Sequence, residues 1–236
     1  MFFSFYSRII TKFTTLSSEK LILRMQVRIG IVFMLISLLG KAQMPSTVAY
    51  TRDYNFKEGI YLTVEQFKKN SPILKESIVS AQSKTQIDFL TQELELKTIT
   101  YKDSEGVEQK VETSTLWGYS QNRTIYINFS NEFNRVNVIG TLSVFSAIVI
   151  QTPMRNEPIG DMYAIEPSFT ELHQFVFDTQ TNKVFDFTSK NMELLLKPDA
   201  ELYAQFMKLK KRAKADSVFI YLRKFNEKHP LYLAVK

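Results

Sequence analysis

The chain has 236 residues, of which 44% are hydrophobic and 13% aromatic, so it has enough apolar residues for one domain with a core, and this composition argues against disorder of the whole. It has no cysteine, which excludes disulfides, thiolate catalysis, cysteine-ligated metal sites and lipid attachment at an N-terminal cysteine. The net charge is +6, but residues 1–42 hold six of the 30 basic and one of the 24 acidic residues, so the remainder carries +1 and offers little support for nucleic-acid binding.

The N-terminal segment has the pattern of a cleavable export signal. Arg24 and Arg28 precede an apolar run over 29–39, and Gly40 and Ala42 supply small residues for a cleavage junction. A helix of 11 residues spans about 16 Å, against about 30 Å for the hydrocarbon core, so a permanent anchor is the less favoured alternative. We expect an upstream extension over 1–24, a signal peptide over 25–42, and a periplasmic or secreted chain without a transmembrane span after cleavage.

The mature chain is expected to begin with a loose arm and to continue as one domain. Residues 43–57 are polar and lack a hydrophobic period, which predicts the arm. Residues 58–236 are assigned to a single α+β domain that becomes helical from about residue 189.

The first half of this domain mixes short elements. Gly59–Leu62 is predicted as a strand, and Thr63 and Gln66 have the spacing of a capping box that starts a helix over 64–69. A stripe of Ile87, Leu90 and Leu94 favours a second helix over 86–95. Strands over 98–102 and 107–111 are expected to flank a turn at 103–106.

The stretch from Leu116 to Ile150 is rich in β-branched and aromatic residues, which predicts successive antiparallel strands. Ile125, Ile127 and Phe129 are expected on one face of a strand, and Val136 and Val138 on one face of the next. The continuously apolar run over 142–150 is placed near the sheet centre, or covered on both faces.

The second half should contain a loop, a hairpin and helices. Prolines predict a loop over about 151–168 with a short strand at 162–165, and strands over 174–178 and 183–187 follow as a hairpin. Its phenylalanines are expected to share one face: Phe175, Phe177, Phe185 and Phe187. Helical periodicity then predicts a short helix from 189 to 197 and two more over about 198–211 and 214–228, or one bent helix, with Pro198 at a first helical position.

These elements predict an α+β fold. We expect a curved antiparallel sheet, barrel-like and of about seven to nine strands, with the C-terminal helices packed on it. A two-sheet sandwich with a helical tail is the alternative.

Five short strings of the chain are distinctive when taken together: Gly59–Thr63, Leu116–Tyr119, Ile125–Asn128, Ile139–Gly140 and Tyr221–Pro230. They resemble a group of uncharacterised secreted or periplasmic proteins of Gram-negative bacteria that contain a domain of unknown function. The resemblance implies export, in keeping with Ala42-Gln43 at the junction, but it implies no activity and transfers no catalytic residue.

The sequence contains only two histidines, the residue type that most often acts as a general acid or base. His173 could act as a general base with Asp161 or Glu166, or could be an ordinary histidine at a strand end. His229 follows a predicted helix, where an imidazolium would meet the negative end of the dipole. No nucleophile elbow, phosphate loop, calcium loop or zinc spacing is present in the sequence, so no catalytic residue, cofactor or metal is assigned.

Charge is distributed unevenly along the mature chain. Residues 197–236 hold ten basic and four acidic residues, a net of +6, whereas residues 43–196 carry a net of −5. The densest group, termed the basic cluster, is Lys208, Lys210, Lys211, Arg212 and Lys214. It could bind an anionic surface or an acidic protein partner, or be a solvated helix face.

Three functional hypotheses follow. The first is an exported, non-catalytic binding or structural module of the cell envelope with an unknown ligand. The second is an exported hydrolase that uses Asp161 or Glu166 with His173. The third is a peripheral binder of anionic lipid or polysaccharide that uses the basic cluster.

Overall fold

The computed structural model describes residues 46–151 and 169–235, which belong to a compact unit from Ser46 to Lys236. The leader, the strand expected at 162–165, Asp161 and Glu166 lie outside the described residues. Twelve strands are described: β1 Thr47–Ala49, β2 Gly59–Tyr61, β3 Ile73–Leu74, β4 Thr98–Lys102, β5 Glu108–Glu112, β6 Gly118–Gln121, β7 Thr124–Phe129, β8 Glu132–Val138, β9 Leu142–Gln151, β10 Phe169–Asp178, β11 Lys183–Asp186 and β12 Tyr232–Ala234. Five α-helices accompany them: α1 Val64–Lys68, α2 Phe89–Glu93, α3 Ser189–Leu195, α4 Ala200–Met207 and α5 Lys211–Lys228.

The expected α+β fold is confirmed. Eight strands form one antiparallel sheet in the order β11-β10-β9-β8-β7-β6-β2-β3, and three helices follow it near the C-terminus. The sheet is open rather than barrel-like, because β11 and β3 remain as edges. Both edge strands are short, with four and two residues, which limits the main chain available for pairing with another protein.

A shift of register between β8 and β9 separates two neighbouring valines. Val136 pairs with Phe145 but Val138 pairs with Val144, so the intervening Asn137 forms a bulge. Val136 therefore packs into one core, and Val138 packs into the core on the opposite face. The expectation that the two valines share a face is wrong, because the extra residue resets the alternation of side chains.

The first core fills one face of the sheet beneath α1 and the β1–β12 ribbon. Stacked and edge-on rings dominate it, including Phe67 against Trp117 at 4.6 Å between centroids. Its buried members are Phe56, Tyr61, Val64, Phe67, Ile125, Ile127, Phe145, Ala147, Phe175, Phe177, Leu231 and Leu233.

The helices α3, α4 and α5 cover part of the opposite face. Leu142, Val144 and Val176 from the sheet meet Leu202, Phe206, Leu222 and other residues of the helices in a second core. A third cluster comes from β2, β6, α2, the β4–β5 hairpin and the segments that connect them: Ile60, Ile78, Phe89, Leu90, Leu94, Ile99, Leu116 and Tyr119. The sheet is thus covered on both faces over most of its width.

The C-terminal half of β9 is an exception to this coverage of the sheet. The sequence predicts that 142–150 is central or covered on both faces, and this holds for Leu142–Ala147 apart from the half-buried Ser146. Beyond it, Ile148 and Ile150 are 59% and 72% exposed, beside Leu172 at 68% on β10. The helices end before this region, so these apolar side chains are uncovered by any described residue.

The hairpin of β10 and β11 has a different register from the one expected. Phe175 pairs with Asp186, and Phe185 pairs with Val176. Phe175 and Phe177 therefore enter the first core, whereas Phe185 and Phe187 pack against the second. The four-residue turn between Asp178 and Lys183 sets this odd–even pairing. The prediction that the four phenylalanines share one face is therefore wrong.

The arm expected to be loose is also partly ordered. Thr47–Ala49 forms β1 and pairs with Tyr232–Ala234 of β12, and the Tyr54 hydroxyl donates to the Ala234 carbonyl at 2.8 Å. Phe56, from the same segment, is buried in the first core. A loose arm over 43–57 is therefore wrong for these residues, because their partner lies more than 180 residues away in the chain.

Helix starts follow the predicted chemistry with small differences. The Thr63 hydroxyl accepts from the Gln66 N–H, and Gln66 Oε1 accepts from the Leu62 N–H at 2.7 Å, one residue before the position of a standard capping box. Pro198 precedes α4 instead of opening it, because Asp199 is the N-cap and accepts from the Leu202 N–H. The second helix is shorter than expected, and Ile87 is 78% exposed outside it.

Asn226 fixes α5 on the sheet. Its Oδ1 accepts from the Leu142 N–H at 2.8 Å and its Nδ2 donates to the Leu142 carbonyl at 2.9 Å, so the side chain replaces a missing strand neighbour. Gly140 makes this approach possible, since a Cβ there would lie 2.4 Å from Asn226 Nδ2. The Thr141 hydroxyl adds a bond of 2.6 Å to the His229 carbonyl at the end of the helix.

The bonds of Asn226 to Leu142 and its close contact with Gly140 are termed the Asn226 clamp. This contact predicts that Gly140→Ala and Asn226→Ala have non-additive effects on stability. Each change should lower the free energy of unfolding by about 1–3 kcal/mol, the first by overpacking and the second because buried Leu142 main-chain groups lose their partner. The double variant should lose less free energy of unfolding than the two single variants together, since the shorter side chain at position 226 leaves room for the new Cβ at position 140. Urea denaturation measures the cycle, with Glu227→Ala on the same helix as control, and strictly additive losses would contradict the contact.

Candidate functional site

A groove runs between the C-terminal half of α5, the end of β8 and the segment after β1. Its volume is about 700 Å³, within the range of small-molecule sites. It is termed the α5 groove, and its lining comes from all three segments: Tyr50, Arg52, residues 136–140, Arg223, Asn226, Glu227, Pro230 and Leu231.

Two arginines from distant parts of the chain line this groove. Arg52 follows β1, Arg223 lies on α5, and both are exposed. Among the described residues neither guanidinium has an ion-pair or hydrogen-bond partner. Glu227 lines the same groove one helical turn beyond Arg223, so the lining carries a net charge of +1.

The rest of the groove is fixed and partly apolar. The amide of Asn226 is engaged by both its atoms with Leu142, so it holds the wall rather than facing a ligand. Leu231 and Ile139 belong to the first core or pack against it, and Tyr50 is half-buried beside them. Burial raises the pKa of the Tyr50 phenol, and the positive charge of Arg52 opposes that rise, so the phenol stays protonated at neutral pH.

The predicted general base, His173, lies away from this groove. It is on β10 opposite Ala147, and its Nε2 is 2.9 Å from Glu171 Oε2 on the same strand face. Its sequence-predicted partners, Asp161 and Glu166, are outside the described residues. The structure therefore pairs His173 with a carboxylate that the sequence reading did not consider.

His229 has a more specific role than a simple dipole contact. It is the C-cap residue of α5, and its Nε2 lies 2.9 Å from Asp199 Oδ2 at the start of α4. Lys228 Nζ lies 2.9 Å from the same oxygen and 2.8 Å from Glu201 Oε2. The network ties the end of one helix to the start of another, which is a structural role.

The basic cluster is divided by its contacts. Lys214 Nζ lies 2.6 Å from Glu193 Oε1 and 5.7 Å from the centroid of the Phe206 ring, and its side chain is only 13% exposed. The other four are exposed and have no side-chain partner within the described part of the chain: Lys208, Lys210, Lys211 and Arg212. They surround the start of α5, which has no side-chain cap and no acidic residue in its first turn.

Metal ligands and membrane-spanning helices also bear on function. The described residues contain no group of three or more histidine, cysteine or acidic side chains arranged to hold a metal ion. They also contain no helix with the length and hydrophobicity needed to cross a bilayer.

The α5 groove was not predicted from the sequence. Arg52 and Arg223 are 171 residues apart, and Arg52 lies in none of the strings singled out above. Arg223 lies in the string Tyr221–Pro230, but that string indicates no ligand, and charged residues on an exposed helix face are common. The convergence of the two arginines depends on the β1–β12 pairing and on the Asn226 clamp, and neither is visible in local patterns.

Comparison with protein families gave one result. The model of a family of unknown function (DUF6563) matches residues 59–229. Neither the curated proteins nor the solved structures gave a match. The matched range begins at β2 and ends at His229, so it includes the eight-stranded sheet and all five described helices, whereas Tyr50 and Arg52 of the groove lie before it.

The Asp199 network predicts a pH-dependent stability. The pKa of Asp199 lies well below its usual range, because the Leu202 N–H, Lys228 and His229 all bind the ionised carboxylate. A depressed pKa stabilises the fold above the pKa of the unfolded chain, about 4, and this contribution is lost as the pH falls below it. Asp199→Asn should therefore lower the free energy of unfolding at neutral pH and have a smaller effect at about pH 3.

Urea denaturation at both pH values measures this difference. Asp216→Asn, at an exposed carboxylate on α5, is the matched control and should have little effect at either pH. If Asp199→Asn lowers the free energy of unfolding equally at both pH values, the charge-based explanation is contradicted.

Proposed function

This chain belongs to the DUF6563 family, whose function is unknown, and from that premise we propose that it is an exported, non-catalytic binding module of the cell envelope. The ligand binds in the α5 groove. The observation that carries the proposal is the groove itself, where two arginines without partners among the described residues line a concavity of about 700 Å³ beside apolar side chains.

The composition of the groove favours binding over turnover. Catalysis by acid–base chemistry needs a base within hydrogen-bond reach of the reacting group. Neither histidine lines the groove, since His173 is paired with Glu171 on β10 and His229 with Asp199. Glu227 is the one carboxylate in the lining, and no described serine, threonine or second carboxylate lines the groove to act with it as nucleophile or acid. Arginine is a poor proton acceptor but a good binder of anions. The hydrolase alternative rests on Asp161 and Glu166, and it remains a prediction for a part of the chain that is not described.

Export is supported by the pattern of the leader. Arginines precede an apolar run over 29–39, and small residues stand before Gln43, as in signal peptides. The absence of cysteine is compatible with an oxidising compartment. The proposal places the mature chain in the periplasm or outside the cell.

A second candidate function is peripheral binding to anionic lipid or polysaccharide. The observation that favours it is the exposure of four members of the basic cluster without side-chain partners in the described chain. Their charges surround the positive end of the α5 dipole, so they repel one another and attract an anionic surface. An acidic protein partner would use the same charges.

Expression of the full chain with its leader in a Gram-negative host tests the main proposal. The expressed protein should be found in the periplasmic or external fraction, and its intact mass should correspond to a chain that begins at Gln43. It should release no product from ester, glycoside, phosphate-ester and peptide substrates. A full-length product in the cytosol would contradict export, and a turnover that His173→Ala abolishes would contradict the non-catalytic assignment.

Vesicle binding tests the second candidate. The variant with Lys208, Lys210, Lys211 and Arg212 all changed to glutamine should bind phosphatidylglycerol vesicles about a thousandfold more weakly, because four surface charges at about 1 kcal/mol each contribute about 4 kcal/mol. The wild-type binding should weaken as salt is added.

A matched variant controls for net charge in this test. It replaces four exposed lysines elsewhere with glutamine, namely Lys102, Lys110, Lys183 and Lys190. If both quadruple variants lose binding equally, or if salt has no effect, the basic cluster is not the binding surface.

A further inference from the structure

We propose that the α5 groove binds an organic anion, in which one carboxylate or phosphate group is joined to a small apolar body. The inference rests on the proposed function and names its ligand class. This site differs in kind from the basic cluster, because a groove would take up a single anionic group, whereas the cluster is a charged surface.

The anion is assigned from Arg52 and Arg223. Two guanidinium groups that line one concavity repel each other when it is empty, and no described acidic group bonds to either of them. Arginine presents a planar fork of donors that matches carboxylate and phosphate oxygens. An anion between the two segments would therefore remove an electrostatic cost and form directional bonds.

The apolar body is assigned from the wall of the groove. Tyr50 and Ile139 are half-buried there, and both pack against the first core, in which Leu231 of the lining is buried. A small ring or short aliphatic chain would cover these side chains, and burial of apolar area contributes about 25 cal/mol per Å². An inorganic ion would leave this wall exposed to water.

The charge count restricts the ligand to one anionic group. Glu227 lines the groove with the two arginines, so the net charge of the lining is only +1. A polyanion would bring additional negative charges close to Glu227 at an energetic cost. Replacement of Glu227 by glutamine should therefore strengthen binding.

The groove is preorganised by the contacts that fix α5. Asn226 bonds to both main-chain groups of Leu142, and Thr141 bonds to the His229 carbonyl, so the Arg223 wall is fixed against the end of β8. The Tyr50 N–H donates to the Leu231 carbonyl at 2.7 Å, which holds the other wall. A ligand would thus pay little conformational entropy to order the site.

Isothermal titration of the full chain with three probes tests this inference. The probes are phenyl phosphate, benzoate and the uncharged benzyl alcohol, which share an aromatic ring. At least one of the two anions should bind, the alcohol should not, and the better anion identifies phosphate or carboxylate as the preferred group. Arg52→Gln and Arg223→Gln should each weaken binding by about tenfold, the loss of one charge-assisted bond.

The controls separate the groove from other effects. Lys208→Gln with Lys211→Gln, in the basic cluster, should leave the affinity unchanged, and Glu227→Gln should increase it. Thermal melting establishes that each variant folds, and Arg52→Gln, on an exposed segment outside the sheet, keeps the test valid if Arg223→Gln is unstable.

Three results would overturn the inference: no binding of either anion, equal binding of benzyl alcohol, or unchanged affinity in both arginine variants. These are distinct from failure of the proposed function. A hydrolysis of phenyl phosphate that depends on His173 would contradict the non-catalytic assignment while arginine-dependent binding still stood.

Discussion

The register shift at Asn137 is the constraint on which the rest of the fold depends. Because one extra residue separates the pairs of Val136 and Val138, the end of β8 turns its side chains to the opposite face. On β9, ordinary alternation sends Phe145 to the ring-rich core and Val144 to the helix-covered core, and the bulge lets β8 contribute to the same two cores with Val136 and Val138. The same bulged segment, residues 136–140, becomes a wall of the α5 groove, so the irregular strand both divides the interior and shapes the site.

A polar contact at the end of that strand fixes α5, in addition to the packing of this helix in the second core. Asn226 takes the place of a strand neighbour for Leu142, and Gly140 supplies the space. This contact joins two of the strings singled out in the sequence, Ile139–Gly140 and Tyr221–Pro230, although 80 residues separate them. In this chain, Gly140 and Asn226 therefore have a packing role.

Much of the local structure was predictable, since short-range patterns determine it. Alternation in 124–129, the turn at 103–106 and the Thr63 cap all correspond to described elements. The failures arose where the outcome depends on distant partners or on one inserted residue. Alternation cannot reveal a bulge, so Val136 and Val138 were misplaced. A hairpin register depends on how its turn closes, so Phe185 and Phe187 were assigned to the wrong face.

The candidate site was invisible in the sequence for the same reason. Arg52 comes from a segment that was predicted to be loose, because its partner strand is at the other end of the chain. The basic cluster, by contrast, was visible as composition, but its individual contacts were not: Lys214 is neutralised by Glu193, while the other members are exposed.

The β1–β12 ribbon has a mechanical consequence. Its two strands bring the ends of the described unit together, and the Val235 N–H donates to the Ser46 carbonyl at 2.7 Å. Tension applied between residues 46 and 235 would therefore open the three residue pairs one after another, starting from Thr47 and Ala234, instead of shearing them together. Leu233 would be pulled out of the first core in the process, so under load the domain would begin to fail at its own ends while the sheet was still intact.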